Sequence, residues 1–154
     1  MPDHLLTLVP ASYVLLLRGR EALLQRRHGT GYMDGHWVAG AAGHVEAGET
    51  AREAAVREAR EELGVDIEAG DLELVTVMQR TDGVSVPREQ RVDWFWTCRS
   101  WRGAPRICEP HKASHLEWFP LDALPEPIPA YERLVLEGLR EGGLPRDTAY
   151  GFAP

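Results

Sequence analysis

Gly43-His44-Val45-Glu46-Ala47-Gly48-Glu49-Thr50-Ala51-Arg52-Glu53-Ala54-Ala55-Val56-Arg57-Glu58-Ala59-Arg60-Glu61-Glu62-Leu63-Gly64-Val65 is the stretch on which the reading of this chain turns. Its second half predicts a helix. Thr50 is a good N-cap, and Glu53, three residues on, completes a capping box. Gly64 supplies the left-handed stop after Leu63. At 3.6 residues per turn, Glu58, Glu61 and Glu62 stand at i, i+3 and i+4, so their carboxylates share one face. Ala55, Val56, Ala59 and Leu63 form the neighbouring apolar stripe that anchors the helix to a core. Three clustered carboxylates repel one another and destabilise an isolated helix. A hard divalent cation removes that conflict, because Mg²⁺ prefers oxygen donors shared among carboxylates, water and phosphate. The competing reading is a solvated acidic face on which Arg57 and Arg60 make i,i+4 pairs.

Working outward, Leu5 to Val9, Tyr13 to Leu17 and Ala22 to Arg26 read as strands, with a turn at Arg18-Gly19-Arg20-Glu21. Gly29 to Gly40 is glycine-rich and reads as loop. Leu72 to Gln79 and Arg91 to Trp101 are further strands joined by a loop with Gly and Pro, and His115 to Phe119 is a short one. Pro129 to Arg140 reads as a second helix with Tyr131, Leu134, Val135 and Leu139 as its stripe. The order predicts an α/β (α+β type) domain, a mixed β-sheet between helices, over residues 1–141, with a weakly patterned tail at 142–154.

A chain of 154 residues can bury one core without disulfides or structural metal. Its net charge of -7 argues against a protein that coats nucleic acid. No apolar run reaches membrane-spanning length, so no membrane partner is expected. Cys98 and Cys108 have neither metal-ligand nor disulfide spacing and read as reduced thiols, which suits the cytoplasm.

The opening stretch resembles the Nudix box, Gly-x5-Glu-x7-Arg-Glu-U-x-Glu-Glu-x-Gly-U, with U a bulky aliphatic residue. Gly43, Glu49, Arg57, Glu58, Glu61, Glu62 and Gly64 fill all seven fixed positions; Ala59 and Val65 take the two U positions, Ala59 being smaller than usual. With Gly, Glu and Arg each about a tenth of the chain, seven chance matches arise on the order of 10⁻⁷ per starting point. The resemblance implies the Nudix αβα sandwich and hydrolysis of a nucleoside diphosphate linked to a group X, by metal-assisted attack of water on phosphorus. It implies Mg²⁺ as cofactor, with Mn²⁺ as the alternative, held by Glu58, Glu61 and Glu62. Arg57 would orient a catalytic glutamate, and Glu49 would fix the loop or join the metal shell. Gly43 would bring backbone close to phosphate.

A second segment, Trp101-Arg102-Gly103-Ala104-Pro105 followed by Glu109, looks like the Trp-x-Gly-x-Pro segment of MutT-type nucleoside triphosphate pyrophosphohydrolases. There a glutamate four residues beyond the proline serves metal binding or catalysis, which leaves Glu58 and Glu109 both open as the base. Glu109 could equally be an ordinary loop acid. Tyr32 and Trp37 are candidates to stack on a base. The resemblance thins at Val38-Ala39-Gly40-Ala41-Ala42-Gly43, where many members carry Leu-Pro-Gly-Gly; the lost proline should loosen or reroute the substrate-facing loop. The leading expectation is a nucleoside triphosphate cleaved to monophosphate and pyrophosphate. The alternatives are hydrolysis of a nucleotide sugar or other NDP-X, and a non-catalytic nucleotide-binding regulator. The expected partner is a small-molecule nucleotide, with a homodimer left open.

Overall fold

The computed structural model describes residues 5–83 and 86–153. Strand β1 (Val9–Arg18) is central and buried along most of its length. It pairs antiparallel with β2 (Glu21–Arg27) through the tight turn at Gly19, and parallel with β6 (Arg91–Cys98). Strand β2 carries β3 (Trp37–Ala39) and β7 (Ala113–Pro120), while β4 (Ala41–His44) lies on β1. Beyond β6 come β5 (Leu72–Arg80), antiparallel, and β8 (Asp147–Tyr150), parallel to β5. The result is one mixed sheet of eight strands.

Side chains of β1 alternate between two cores. Val14 and Leu16 pack with Ala55, Ala59 and Leu63 of helix α1 (Ala51–Leu63); Tyr13, Leu15 and Leu17 pack with Tyr131, Val135 and Leu136 of helix α2 (Ala130–Arg140). A strand covered on both faces needs a continuous apolar run instead of an alternating one, which explains Tyr13 to Leu17. On β6, Phe95 joins the α2 side and stacks on Tyr13 at 4.5 Å, whereas Trp96 joins the α1 side. The mixed sheet between two helical layers is the expected sandwich.

Several boundaries differ from expectation. Leu5 and Leu6 are exposed and outside any strand; β1 begins at Val9 and includes Pro10, which is tolerated near a strand's first residue. Residues 29–40 are not all loop, because Trp37–Ala39 pairs with β2. The strand read to Trp101 ends at Cys98. Within the segment read as a weakly patterned tail, Asp147–Tyr150 is sheet and Tyr150 packs beside Tyr131, with ring centroids 6.4 Å apart. Val84 and Ser85 of the loop between β5 and β6, and Pro154 of the tail, lie outside the described residues. Among the described residues no helix is long and apolar enough to cross a membrane, and both cysteines are free thiols.

Candidate active site

Helix α1 is capped as its sequence dictates. The Thr50 side chain accepts the Glu53 N–H, and Gly64 closes the helix at φ 67, where its N–H reaches Arg60 O at 3.0 Å. The caps fix the rotation of the helix about its axis, and so the face on which its acids stand. Ala55, Ala59 and Leu63 bury the neighbouring stripe, and Ala54 and Glu58 are buried beside it. Ala59, small for its place in the pattern, lies fully buried against β1.

Arg57 organises the acids. Its Nε and Nη2 donate to the two oxygens of Glu49 at 3.1 and 2.6 Å, and Nη1 donates to Glu58 at 2.7 Å and Glu61 at 3.2 Å. Nη2 also donates to the His44 carbonyl at 3.0 Å. One planar guanidinium thus ties the loop before α1, the end of β4 and the acidic face together, a task its fork of donors suits. Glu49 is held by this bidentate pair and by the Glu46 N–H. The Arg57–Glu61 pair of the solvated-face reading is present, but Arg60 pairs with Asp66 instead.

Glu58 and Glu62 are the withdrawn members. Burial pushes the Glu58 carboxyl above its usual range, against the pull of Arg57, and the charges of Glu61 and Glu109 push the same way. Glu62 is driven further, up to about 8, by burial, although it accepts the Ala42 N–H at 2.6 Å; Glu58 and Glu109 add repulsion. Glu109 therefore belongs to the same electrostatic neighbourhood. Its segment is laid along the end of α1 by Cys108 N–H to Glu62 O, 3.1 Å, and Arg106 N–H to Leu63 O, 3.0 Å, and its carboxylate pairs with the chain's only lysine, Lys112, at 2.9 Å. Trp101 of that segment stacks on Trp118, with centroids 6.0 Å apart. Among the described residues no three acids, histidines or cysteines are already gathered as a finished metal cage. The donor chemistry nevertheless fits a hard cation: all oxygen, mutually repelling and partly desolvated.

Gly43 lies against this group. A Cβ there would overlap the Glu58 carboxylate. Gly43→Ala should therefore dislodge Glu58 from Arg57 and cost about 1–3 kcal/mol, read as a lower urea midpoint with an unchanged slope.

A cavity adjoins the acids, lined by Gly43, His44 and Glu62 at one end and by Tyr32, Tyr131 and Glu132 among others. Tyr32 is thus where a stacking residue was expected. Trp37 does not line the cavity; it packs edge-on against Phe119 at 4.8 Å. The proline-free stretch forms β3 and β4, hinged at Gly40, whose Cα sits so close to Leu23 O and Leu63 that a Cβ would crowd both. Within it, Ala39 donates its N–H to Glu132 at 2.8 Å.

Glu132, Arg80 and Arg91 also line this cavity and were not singled out by sequence. The available signal was a carboxylate inside an apolar stripe: Glu132 lies at i−3 and i−4 from the buried Val135 and Leu136. Arg80 is buried over the Tyr131 ring at 3.7 Å and donates to the fully buried Asp93 at 2.8 Å; Arg91 also pairs with Asp93, at 3.4 Å. Burial pushes the Glu132 carboxyl up to about 7, with the Ala39 N–H opposing. A folded pKa above the unfolded value of about 4.3 means the native state holds the proton more tightly, so this group's contribution to stability is lost as pH rises from about 4 to 7. Glu132→Gln should flatten that part of the slope, measured as urea midpoints at acid and alkaline pH.

The NUDIX domain family model matches residues 7–138. A MutT NUDIX hydrolase from Burkholderia pseudomallei superposes with a TM-score of 0.75 at 29% identity, over 85% of this chain and 97% of that one. The E. coli ORF135 protein does so with a TM-score of 0.69 at 25% identity, over 88% and 91%. A UDP-X diphosphatase, 17% identical, shares the fold with a TM-score of 0.65 over 92% of this chain and 67% of its own.

Proposed function

Because this chain belongs to the Nudix hydrolase family, we propose that it is a Mg²⁺-dependent nucleoside triphosphate pyrophosphohydrolase, releasing a monophosphate and pyrophosphate. One observation carries the reading: Glu62 lies within electrostatic reach of Glu58 and Glu109 and also in the wall of the cavity beside Gly43. Phosphates of a ligand in that cavity would lie next to the acids instead of remote from them.

Glu58, Glu61 and Glu62 would hold the cation, with Mn²⁺ able to replace it, and Glu109 is the adjoining loop acid. Bound there, Mg²⁺ supplies charge neutralisation at phosphate oxygens and a more acidic water. The chain's own residues do the remaining work. Arg57 and Glu49 hold the acids in register, and Glu58, whose burial favours the protonated form, accepts the proton of the attacking water. Gly43 keeps side-chain bulk away from that carboxylate. The Trp101-to-Glu109 segment, of the kind found in MutT-type enzymes, favours triphosphates over other NDP-X compounds. We also place the protein in the cytoplasm, consistent with its two free thiols.

The test is turnover across nucleoside triphosphates, nucleotide sugars and ADP-ribose with and without Mg²⁺. Mg²⁺-dependent turnover led by a triphosphate is expected. Turnover confined to nucleotide sugars or other NDP-X compounds would overturn the substrate assignment, and tight binding without turnover would make the protein a nucleotide-binding regulator.

A further inference from the structure

The acid group is served by two cations of different build. Arg57 donates to Glu49, Glu58, Glu61 and a backbone carbonyl at once, and its side chain is 23% exposed. The Lys112 side chain is 56% exposed and makes one ion pair, from Nζ to Glu109 Oε2 at 2.9 Å. A turn presents that pair. The Lys112 N–H donates to Glu109 O at 2.9 Å, and the Ala113 N–H donates to the same oxygen at 3.2 Å. The His28 N–H donates to Lys112 O at 2.9 Å, so the lysine backbone is fixed beside the end of β2 while its four-carbon stem is free to swing. An ion pair this exposed contributes little to the stability of a fold. Its effect falls on the acids. Glu109 foremost, then Glu62 and Glu58, favour the charged form of Lys112, and the lysine opposes the burial-driven rise of the Glu62 carboxyl.

We propose that Lys112 is a positioning residue, a tethered counter-ion that holds Glu109 beside Glu58 and Glu62 and yields that carboxylate to the divalent cation, an inference that rests on the metal-dependent reading. A doubly charged ion small enough to touch several oxygens gains from all of them at once, whereas an ammonium at the end of its stem pairs with one. Arg57 cannot yield in this way, because its fork is spanned between Glu49 and Glu58. Lys112 can, because the ion pair exchanged is the one it makes. Before the exchange, the ammonium keeps the loop acid from being repelled by Glu58 and Glu62. During it, the ammonium competes with the cation, so Lys112 weakens cation binding.

The test is Mn²⁺ binding to the metal-stripped full chain at neutral pH, followed by EPR of the free ion, in the wild type and in Lys112→Met, with thermal melts of the same samples. Lys112→Met should bind Mn²⁺ about three- to fivefold more tightly, the scale of one exposed ion pair. Stripped of metal it should melt about 1–4 °C below the wild type, and the gap should close in saturating Mn²⁺ because tighter binding offsets the lost pair. A merely structural lysine would lower the melt and leave Mn²⁺ affinity where it was. Two further variants separate exchange at Glu109 from nearness of charge. Lys112→Arg, which can still pair with Glu109, should bind Mn²⁺ within about twofold of the wild type. In a Glu109→Gln background, Lys112→Met should change the affinity by less than about twofold. Unchanged or weaker Mn²⁺ binding in Lys112→Met, or a tightening undiminished in the Glu109→Gln background, would overturn the proposal. A wild type that binds no Mn²⁺ at millimolar concentration would overturn the metal reading and the proposal with it. The expected affinities without hydrolysis of any triphosphate would support Lys112 as the counter-ion and refute only the pyrophosphohydrolase reading.

Discussion

Glu62→Gln should lower Mg²⁺-dependent turnover about 10²- to 10³-fold while leaving the fold intact, the scale on which removal of one preorganised electrostatic group acts. The amide oxygen can still accept the Ala42 N–H that Glu62 accepts at 2.6 Å, so β4 keeps its tether to α1. What is lost is a negative charge that burial penalises in the absence of metal, with the Glu62 carboxyl pushed up to about 8. The sign of the stability effect follows. Because the folded pKa lies above the unfolded one, the native protein is increasingly penalised as pH rises from about 4 to 8. The metal-free variant should therefore melt a few degrees above the wild type at pH 8, each kcal/mol being worth about 2–4 °C in a domain of this size. Higher thermal stability with lost turnover is the signature of a functional charge held at a structural cost. Equal turnover with metal dependence intact would remove Glu62 from the site.

Arg57→Ala should be damaging in a different way, lowering stability by about 2–3 kcal/mol and turnover along with it. The guanidinium joins Glu49, Glu58, Glu61 and the His44 carbonyl, with only 23% of its side chain exposed, so its loss leaves the carboxylates of Glu49 and Glu58, each mostly shielded from solvent, without their counter-charge. Arg57→Lys separates charge from geometry. An ammonium restores the charge but cannot span the bidentate contact to Glu49 while also reaching Glu58. It should recover part of the stability, measured by urea unfolding, and little of the turnover. If lysine restored both, Arg57 would be acting as a counter-charge alone.

How far these features were legible depends on whether their causes are local. Helix α1 was readable to within a residue because its caps, stripe and acids all lie within the quoted stretch and agree with one another. The two-faced burial of β1 was readable from Tyr13 to Leu17, since a five-residue apolar run at that length points to a covered strand. Strands β3 and β8 were not. Trp37–Ala39 and Asp147–Tyr150 are too short to show a period, and their pairing with β2 and β5 is set by distant chain. The Nudix pattern named the acids, and the structure showed how Arg57 ties three of them together. Glu109 was suggested by spacing, and its closeness to Glu58 and Glu62 emerges only when its loop is laid along the end of α1. Trp37 shows the opposite limit, since an aromatic in a glycine-rich segment says nothing of which way it faces; it packs on Phe119. Glu132 was hidden because a single acid in a helix ordinarily marks the solvated side, and only the packing of α2 on the sheet turns it inward.

The most direct test of the central claim is phosphorus NMR of a nucleoside triphosphate digested by the protein in Mg²⁺, with an EDTA-treated sample alongside. Signals of a monophosphate and pyrophosphate rising together, and neither appearing in EDTA, are the predicted result. A diphosphate with orthophosphate, or cleavage unaffected by EDTA, would contradict it.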